Sequence, residues 1–145
     1  MGPTGRVLVV DDEPPIRALV AKIVERAGHP VDVARDGAEA IEKIEAQRYD
    51  VVVLDLNMPN VDGYTLVDYL KNRGERPAII VISAGDTAAL RRLDGSVVHS
   101  ILRKPFDIDV LGDLVSAALK SMEETAAERQ QKGEVLPFRK NDLSS

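Results

Sequence analysis

Val51-Val52-Val53-Leu54 is an unbroken apolar run that stops at an acid, Asp55. Three of the four residues are β-branched. The lack of alternation means both faces of the strand must be covered, as in a parallel sheet packed between helices. An acid at the end of such a strand sits where buried backbone leaves the core, so its charge needs solvent, a cation or a partner charge. Asn57, Pro59, Asn60 and Asp62-Gly63 are turn formers, which places Asp55 at a strand-to-loop junction. A turn-capping carboxylate would satisfy this local pattern equally well, and the distinction comes from the rest of the chain.

The pattern recurs. Val7-Leu8-Val9-Val10 runs into Asp11-Asp12-Glu13, and Ile16, Leu19, Val20, Ile23 and Val24 then follow at helical spacing until Gly28. One acid could cap that helix, whereas three in a row exceed the need. Val31–Ala34 is a second short strand, followed by a helix carrying Ala38, Ala40, Ile41 and Ile44 inward. After the 51–55 strand, Tyr64, Leu66, Val67 and Leu70 mark a third helix that ends near Arg73-Gly74. Ala78–Ile82 is a fourth strand ending at Ser83, and residues 87–95 support only a short, weakly apolar helix. Val97–Leu102 reads as a fifth strand ending at Arg103-Lys104-Pro105-Phe106. A closing helix with Ile108, Leu111, Leu114, Val115, Ala118, Leu119 and Met122 on one face then begins at Asp107 or Asp109.

Strands alternating with helices five times predict an α/β domain with a doubly wound parallel sheet. Ligands of such sheets bind beyond the carboxyl ends of the strands, where the strand order reverses. With the order 2-1-3-4-5, Asp11 and Asp12 face Asp55, and Ser83 and Lys104 close the two strands beyond.

Composition removes several classes of function. The 145-residue chain has no cysteine, so disulfides, thiolate catalysis and cysteine-ligated metals are excluded. His29 and His99 lack ligand-type spacing for zinc, and His99 reads as a strand residue. A net charge of −5 argues against direct nucleic-acid binding. No run approaches the ~18 apolar residues of a membrane span, and Met1 to Arg6 lacks the features of a secretory signal. A cytoplasmic protein that does not enter the membrane is expected.

Carboxylates gathered at one point repel: unit charges ~4 Å apart cost about 4 kcal/mol at an effective dielectric near 20. A hard divalent cation relieves this. With oxygen ligands alone, Mg²⁺ is the expected ion, with Mn²⁺ and Ca²⁺ as alternatives. Asp12 and Asp55 could ligate it directly, Asp11 through water, and Asn57 through its backbone carbonyl. Beside such an ion Asp55 can act as nucleophile toward a phosphoryl group, with Lys104 supplying a positive charge and Ser83 a hydroxyl donor.

These residues resemble the receiver domain of bacterial two-component response regulators. Asp11-Asp12 matches the family's acidic pair, Asp55 its phosphoacceptor, Ser83 its switch hydroxyl and Lys104-Pro105-Phe106 its Lys-Pro-Phe motif. Asp55-Leu56-Asn57-Met58-Pro59 and Asp62-Gly63 match the loop after the phosphoacceptor. The resemblance spans roughly residues 5 to 121. It implies a flavodoxin-like fold with five helices, the fourth weak here, and a cis Lys104–Pro105 bond. It also implies Mg²⁺-dependent phosphotransfer onto Asp55 from a sensor histidine kinase or histidine phosphotransfer protein. The chain would then be a switch that catalyses its own phosphorylation and slow dephosphorylation, binds a downstream protein, and could pair with a second copy through its last strand and helix.

The alternatives are a Mg²⁺-dependent phosphohydrolase working through an aspartyl-phosphate, a receiver-like module that signals without phosphate, and a flavin-binding flavodoxin. The first commonly has an acid two residues after its nucleophile, where this chain has Asn57. The intact site argues against the second, and Asp11-Asp12-Glu13 would repel the flavin phosphate. Two departures from the family pattern stand out. Ile101 occupies a position that is often aromatic, and residues 84–97 lack a well-formed fourth helix, so the output face is expected to be altered or mobile. Residues 122–145 are expected to extend the last helix as far as Gly133 and then to form a flexible tail. They are too few for a helix-turn-helix output domain, which suits a stand-alone receiver or one cut from a longer chain.

Overall fold

A computed structural model describes residues 5–56, 63–73, 76–84, 91, 93 and 95–135, with side chains described as far as residue 124. The apolar runs form five strands: β1 (Val7–Val10), β2 (Val31–Ala34), β3 (Val51–Asp55), β4 (Ala78–Ser83) and β5 (Val98–Arg103). They make one sheet in the order β2-β1-β3-β4-β5, every pair parallel, as the flavodoxin-like pattern requires. The described helices are α1 (Pro14–Arg26), α2 (Gly37–Ala46), α3 (Gly63–Lys71) and α4 (Ile108–Val135). The weak helix expected over 87–95 falls outside the described residues except at Arg91, Leu93 and Gly95.

Alternate residues of the central strands feed two separate cores. Leu8, Val10, Val52, Leu54, Ile79 and Val81 pack against Ala40 and Ile44 of α2 and Leu66, Val67 and Leu70 of α3. Val7, Val9, Val51, Val53, Ile80 and Ile82 pack against Val20, Ile23 and Val24 of α1 and Leu111, Val115 and Ala118 of α4. This two-sided covering is why the central strands show no polar alternation. Leu19 and Ile108, apolar at helical spacing in the sequence, instead lie 44% and 54% exposed. His99 is a strand residue, skipped by the β4–β5 register, which pairs Ile79 with Val98 and Ile80 with Ser100.

Local chemistry sets the helix ends. Pro14 and Pro15 open α1, where a missing N–H costs nothing, and Gly28 leaves it with φ +97°, which favours glycine. Asp36 caps α2 by accepting the Glu39 N–H at 2.8 Å, while Glu39 reaches back to the Arg35 N–H at 2.7 Å. This reciprocal arrangement resembles a capping box. Asp107 accepts the Asp109 N–H at 2.8 Å at the start of α4. That helix passes through Gly133 to Val135, 28 residues in all. No described helix is both long and apolar enough to cross a membrane.

Candidate functional site

Register brings the strand-end residues together. Val10 pairs with Leu54, so Asp11, one residue beyond β1, lies level with Asp55 at the end of β3. Asp55 pairs with Ile82, and Ser83 pairs with Arg103, one residue before Lys104. Backbone hydrogen bonds carry this edge past the strands: Asp11 N–H to Ala34 O at 3.1 Å, Leu56 N–H to Ile82 O at 3.2 Å, and Lys104 N–H to Ser83 O at 3.0 Å. The Lys104–Pro105 peptide bond is cis.

Asp11, Asp55 and Ser83 are buried at 2%, 4% and 1% exposure, and they are the buried charged or small polar residues among those described. That all of them collect at one sheet edge marks it as the chemical end of the molecule, since a structural core has no need of two buried acids. Carboxylate oxygens of Asp11, Asp12 and Asp55 lie within 4.8 Å of one another. Lys104 Nζ stands 3.6 Å from Asp55 Oδ2. One ammonium cannot offset three carboxylates, and Asp11 is burdened by burial as well. Burial pushes its pKa from 3.8 to about 6, with the charges of Asp55 and Asp12 adding to the rise, against the Glu13 N–H and Lys104.

A hard divalent cation fits this donor set. Oxygens at these separations can share one octahedral ion, directly or through its waters, and no softer ligand is among them. Asn57, the fourth expected ligand, lies outside the described residues.

The acidic turn is held by contacts that composition did not reveal. Asp11 Oδ1 accepts the Glu13 N–H at 2.9 Å, and Arg17 on α1 donates to the Asp11 carbonyl at 3.0 Å. Glu13 occupies the N-cap position of α1 but makes no side-chain capping bond, so none of the three acids is used as the helix cap considered above. The periodicity of α1 puts Arg17 one turn past Glu13, a signal legible only once the acidic turn is known to matter.

Gly63 was also missed as more than a turn former. A Cβ there would lie 2.7 Å from Leu56 Cα and 2.9 Å from Leu56 O, backbone atoms adjoining Asp55. Gly63→Ala is therefore expected to destabilise the fold by roughly 1–3 kcal/mol, as overpacking does. Urea unfolding measures this, and a change below about 0.5 kcal/mol would mean that α3 shifts freely away from the end of β3.

Comparison with known proteins agrees with this fold. The family model for the response regulator receiver domain matches residues 7–116. The transcriptional regulatory protein TcrA of Mycobacterium tuberculosis is 35% identical over 108 residues, covering 73% of this chain and 42% of that protein. The response regulator MprA of Mycobacterium ulcerans is 35% identical over 117 residues, covering 79% of this chain and 50% of that protein. The chain thus spans half or less of the length of these relatives. Among solved structures, the receiver domain of the Francisella response regulator 1452 superposes with a TM-score of 0.74 at 34% identity, covering 81% of this chain and 98% of that one.

Proposed function

The chain belongs to the response regulator receiver domain family, and from that premise we propose that it is a phosphorylation-controlled switch that takes a phosphoryl group onto Asp55. The observation that carries this reading is the buried Asp11–Asp55 pair, with Asp12 beside it and Lys104 Nζ 3.6 Å from the Asp55 carboxylate.

Asp55 is the nucleophile. One of its carboxylate oxygens forms the new bond to phosphorus while the bond from phosphorus to the donor breaks, the electron pair leaving with the donor, such as the imidazole of a phosphohistidine. Asp11, Asp12, Asp55 and Asn57 would hold a Mg²⁺ ion, which when bound would supply charge neutralisation for the incoming phosphoryl oxygens. Lys104 offers its ammonium to another phosphoryl oxygen, exchanging part of its interaction with Asp55 for the added negative charge. Ser83, at the end of β4, supplies a hydroxyl donor. Because Ser83 O already accepts the Lys104 N–H, a movement of either residue toward the phosphoryl group draws on the β4–β5 edge of the sheet.

The surface that reads this movement is assigned to β5 and α4, where Ile101 and Val110 are 44% and 43% exposed. It accommodates a downstream protein or a second copy of the chain. The phosphoryl donor is a sensor histidine kinase or a histidine phosphotransfer protein.

Incubation with a small phosphodonor, followed by intact mass measurement, tests the chemistry. With Mg²⁺ the protein should gain one phosphoryl mass, and with excess chelator it should gain none. Equal labelling under both conditions would remove the cation from the reaction.

A further inference from the structure

Away from the phosphoacceptor edge, the opposite end of the sheet holds a pocket of about 270 Å³ that the switch does not use. It is formed by the α2–β3 connection, the end of α3 and the approach to β4, and it is rich in cations: Arg48, Arg73 and Arg76, with Glu45, Tyr49 and Asp50 beside them. Asp50 immediately precedes β3 and Asp55 ends it, so the length of the strand, about 16 Å, separates this pocket from the acidic cluster.

Three arginines in one pocket are out of keeping with a chain whose net charge is −5. Both acids in the pocket are already engaged. Glu45 accepts the Tyr69 hydroxyl at 3.0 Å, and Asp50 pairs with Arg48 at 3.3 Å. Arg73 is held in place from one side: its Nη1 donates to the Tyr69 hydroxyl at 3.0 Å and its guanidinium carbon lies 5.7 Å from the centre of the Tyr69 ring. Its Nε is buried and has no hydrogen-bond partner among the described residues. Arg76 is anchored by Nη1 to the Lys71 carbonyl at 3.1 Å, and the residue is otherwise exposed. Among the described residues neither Arg73 nor Arg76 forms an ion pair.

A guanidinium fixed against Tyr69, beside a second one that is exposed and anchored through Nη1, suits an anion with several acceptor oxygens. The geometry points to a binding site for a compact phosphate-type oxyanion, inorganic phosphate or a small phosphate monoester, at the amino ends of β3 and β4. The volume lies just under the roughly 300–1,000 Å³ of ordinary ligand pockets, which favours a ligand little larger than the phosphate group itself.

The test is an amide-resolved NMR titration of the full chain without divalent cation, using inorganic phosphate, a small phosphate monoester such as glycerol phosphate, acetate, or chloride at matched ionic strength. Phosphate should give saturable shifts centred on residues 47–50, Arg73 and Arg76, and acetate and chloride should not. If the monoester saturates at lower concentration than phosphate, its organic part is also held; equal affinities assign the binding to the phosphate group. Arg76→Gln, an exposed change that leaves the core intact, should weaken phosphate binding about ten-fold, the loss of one charge-assisted hydrogen bond. Arg73→Lys, which keeps the charge but loses the fork and its Nε donor, should weaken it to a similar degree. Labelling of Asp55 should be unchanged in Arg76→Gln. The proposal is overturned if no saturable shift appears at these residues, if acetate or chloride binds equally well, or if Arg76→Gln binds phosphate as tightly as the wild type.

Discussion

Asp55→Asn abolishes phosphoryl labelling, leaving only the uncatalysed background in the presence of Mg²⁺ and a small phosphodonor. Asparagine keeps the shape of the side chain and one carbonyl oxygen but has no carboxylate to attack phosphorus, so the loss is one of chemistry. The fold should survive. Asp55 is buried beside Asp11 and Asp12, and removing its charge lessens a repulsion, while Lys104, 26% exposed, keeps access to water. Unfolding measured alongside the mass spectrum separates the two explanations: a folded, unlabelled variant supports Asp55 as the acceptor. Asp12→Asn should instead reduce labelling without abolishing it, because the nucleophile remains while part of the cation site is lost. Equal labelling of the wild type and Asp55→Asn would move the acceptor to another residue.

The strands were legible because burial on both faces leaves unbroken apolar runs. Val51–Leu54 and Ile79–Ile82 are all buried at 0–2% exposure, and runs of that kind have few other folds open to them. The strand-end residues followed from the same logic, since each run stops at a residue the core would otherwise reject. Less legible was anything set by tertiary fit. Leu19 and Ile108 have the spacing of core residues, yet α1 and α4 reach the sheet through Val20, Ile23, Val24, Leu111 and Val115, which leaves those two at the rim. Periodicity defines a stripe on a helix but not how wide a part of it the sheet will cover. The closeness of Gly63 to Leu56 was likewise hidden, because a glycine in a turn-rich stretch is explained locally without the neighbour that forbids a side chain. The arginines at the other end of the sheet come from separate connections, Arg48 before β3 and Arg73 and Arg76 before β4, and no sequence window shows them as a group.

Removing the charge of Asp11 should stabilise the cation-free protein. The folded state raises the Asp11 pKa from 3.8 to about 6, so folding favours the protonated acid. A raised carboxylate contributes its stability fully below the unfolded value, and that contribution is lost as pH climbs through the folded value. Above pH 6 the folded protein carries a buried charge at a cost of roughly 3 kcal/mol, the free-energy equivalent of the shift. Asp11→Asn keeps an oxygen to accept the Glu13 N–H and drops the charge. In chelator at pH 7 its unfolding free energy should therefore exceed the wild type's, by up to about 3 kcal/mol, and its stability should change less between pH 4 and 6. Added Mg²⁺ should reverse the ranking. Binding to the folded state alone stabilises by about 4.1 kcal/mol at a thousand times the dissociation constant, more than the roughly 3 kcal/mol at stake, and the variant, short of one acidic ligand, gains less. Urea unfolding of both proteins at pH 5 and 7, with chelator and with Mg²⁺, provides the comparison. A variant less stable than the wild type at pH 7 in chelator would mean that Asp11 serves the fold through its charge. A crossing of the two stabilities on adding Mg²⁺ would mean that the fold tolerates a strained acidic cluster because the cation relieves it, so that the feature that makes the site able to accept a phosphoryl group is the same one that weakens the empty domain.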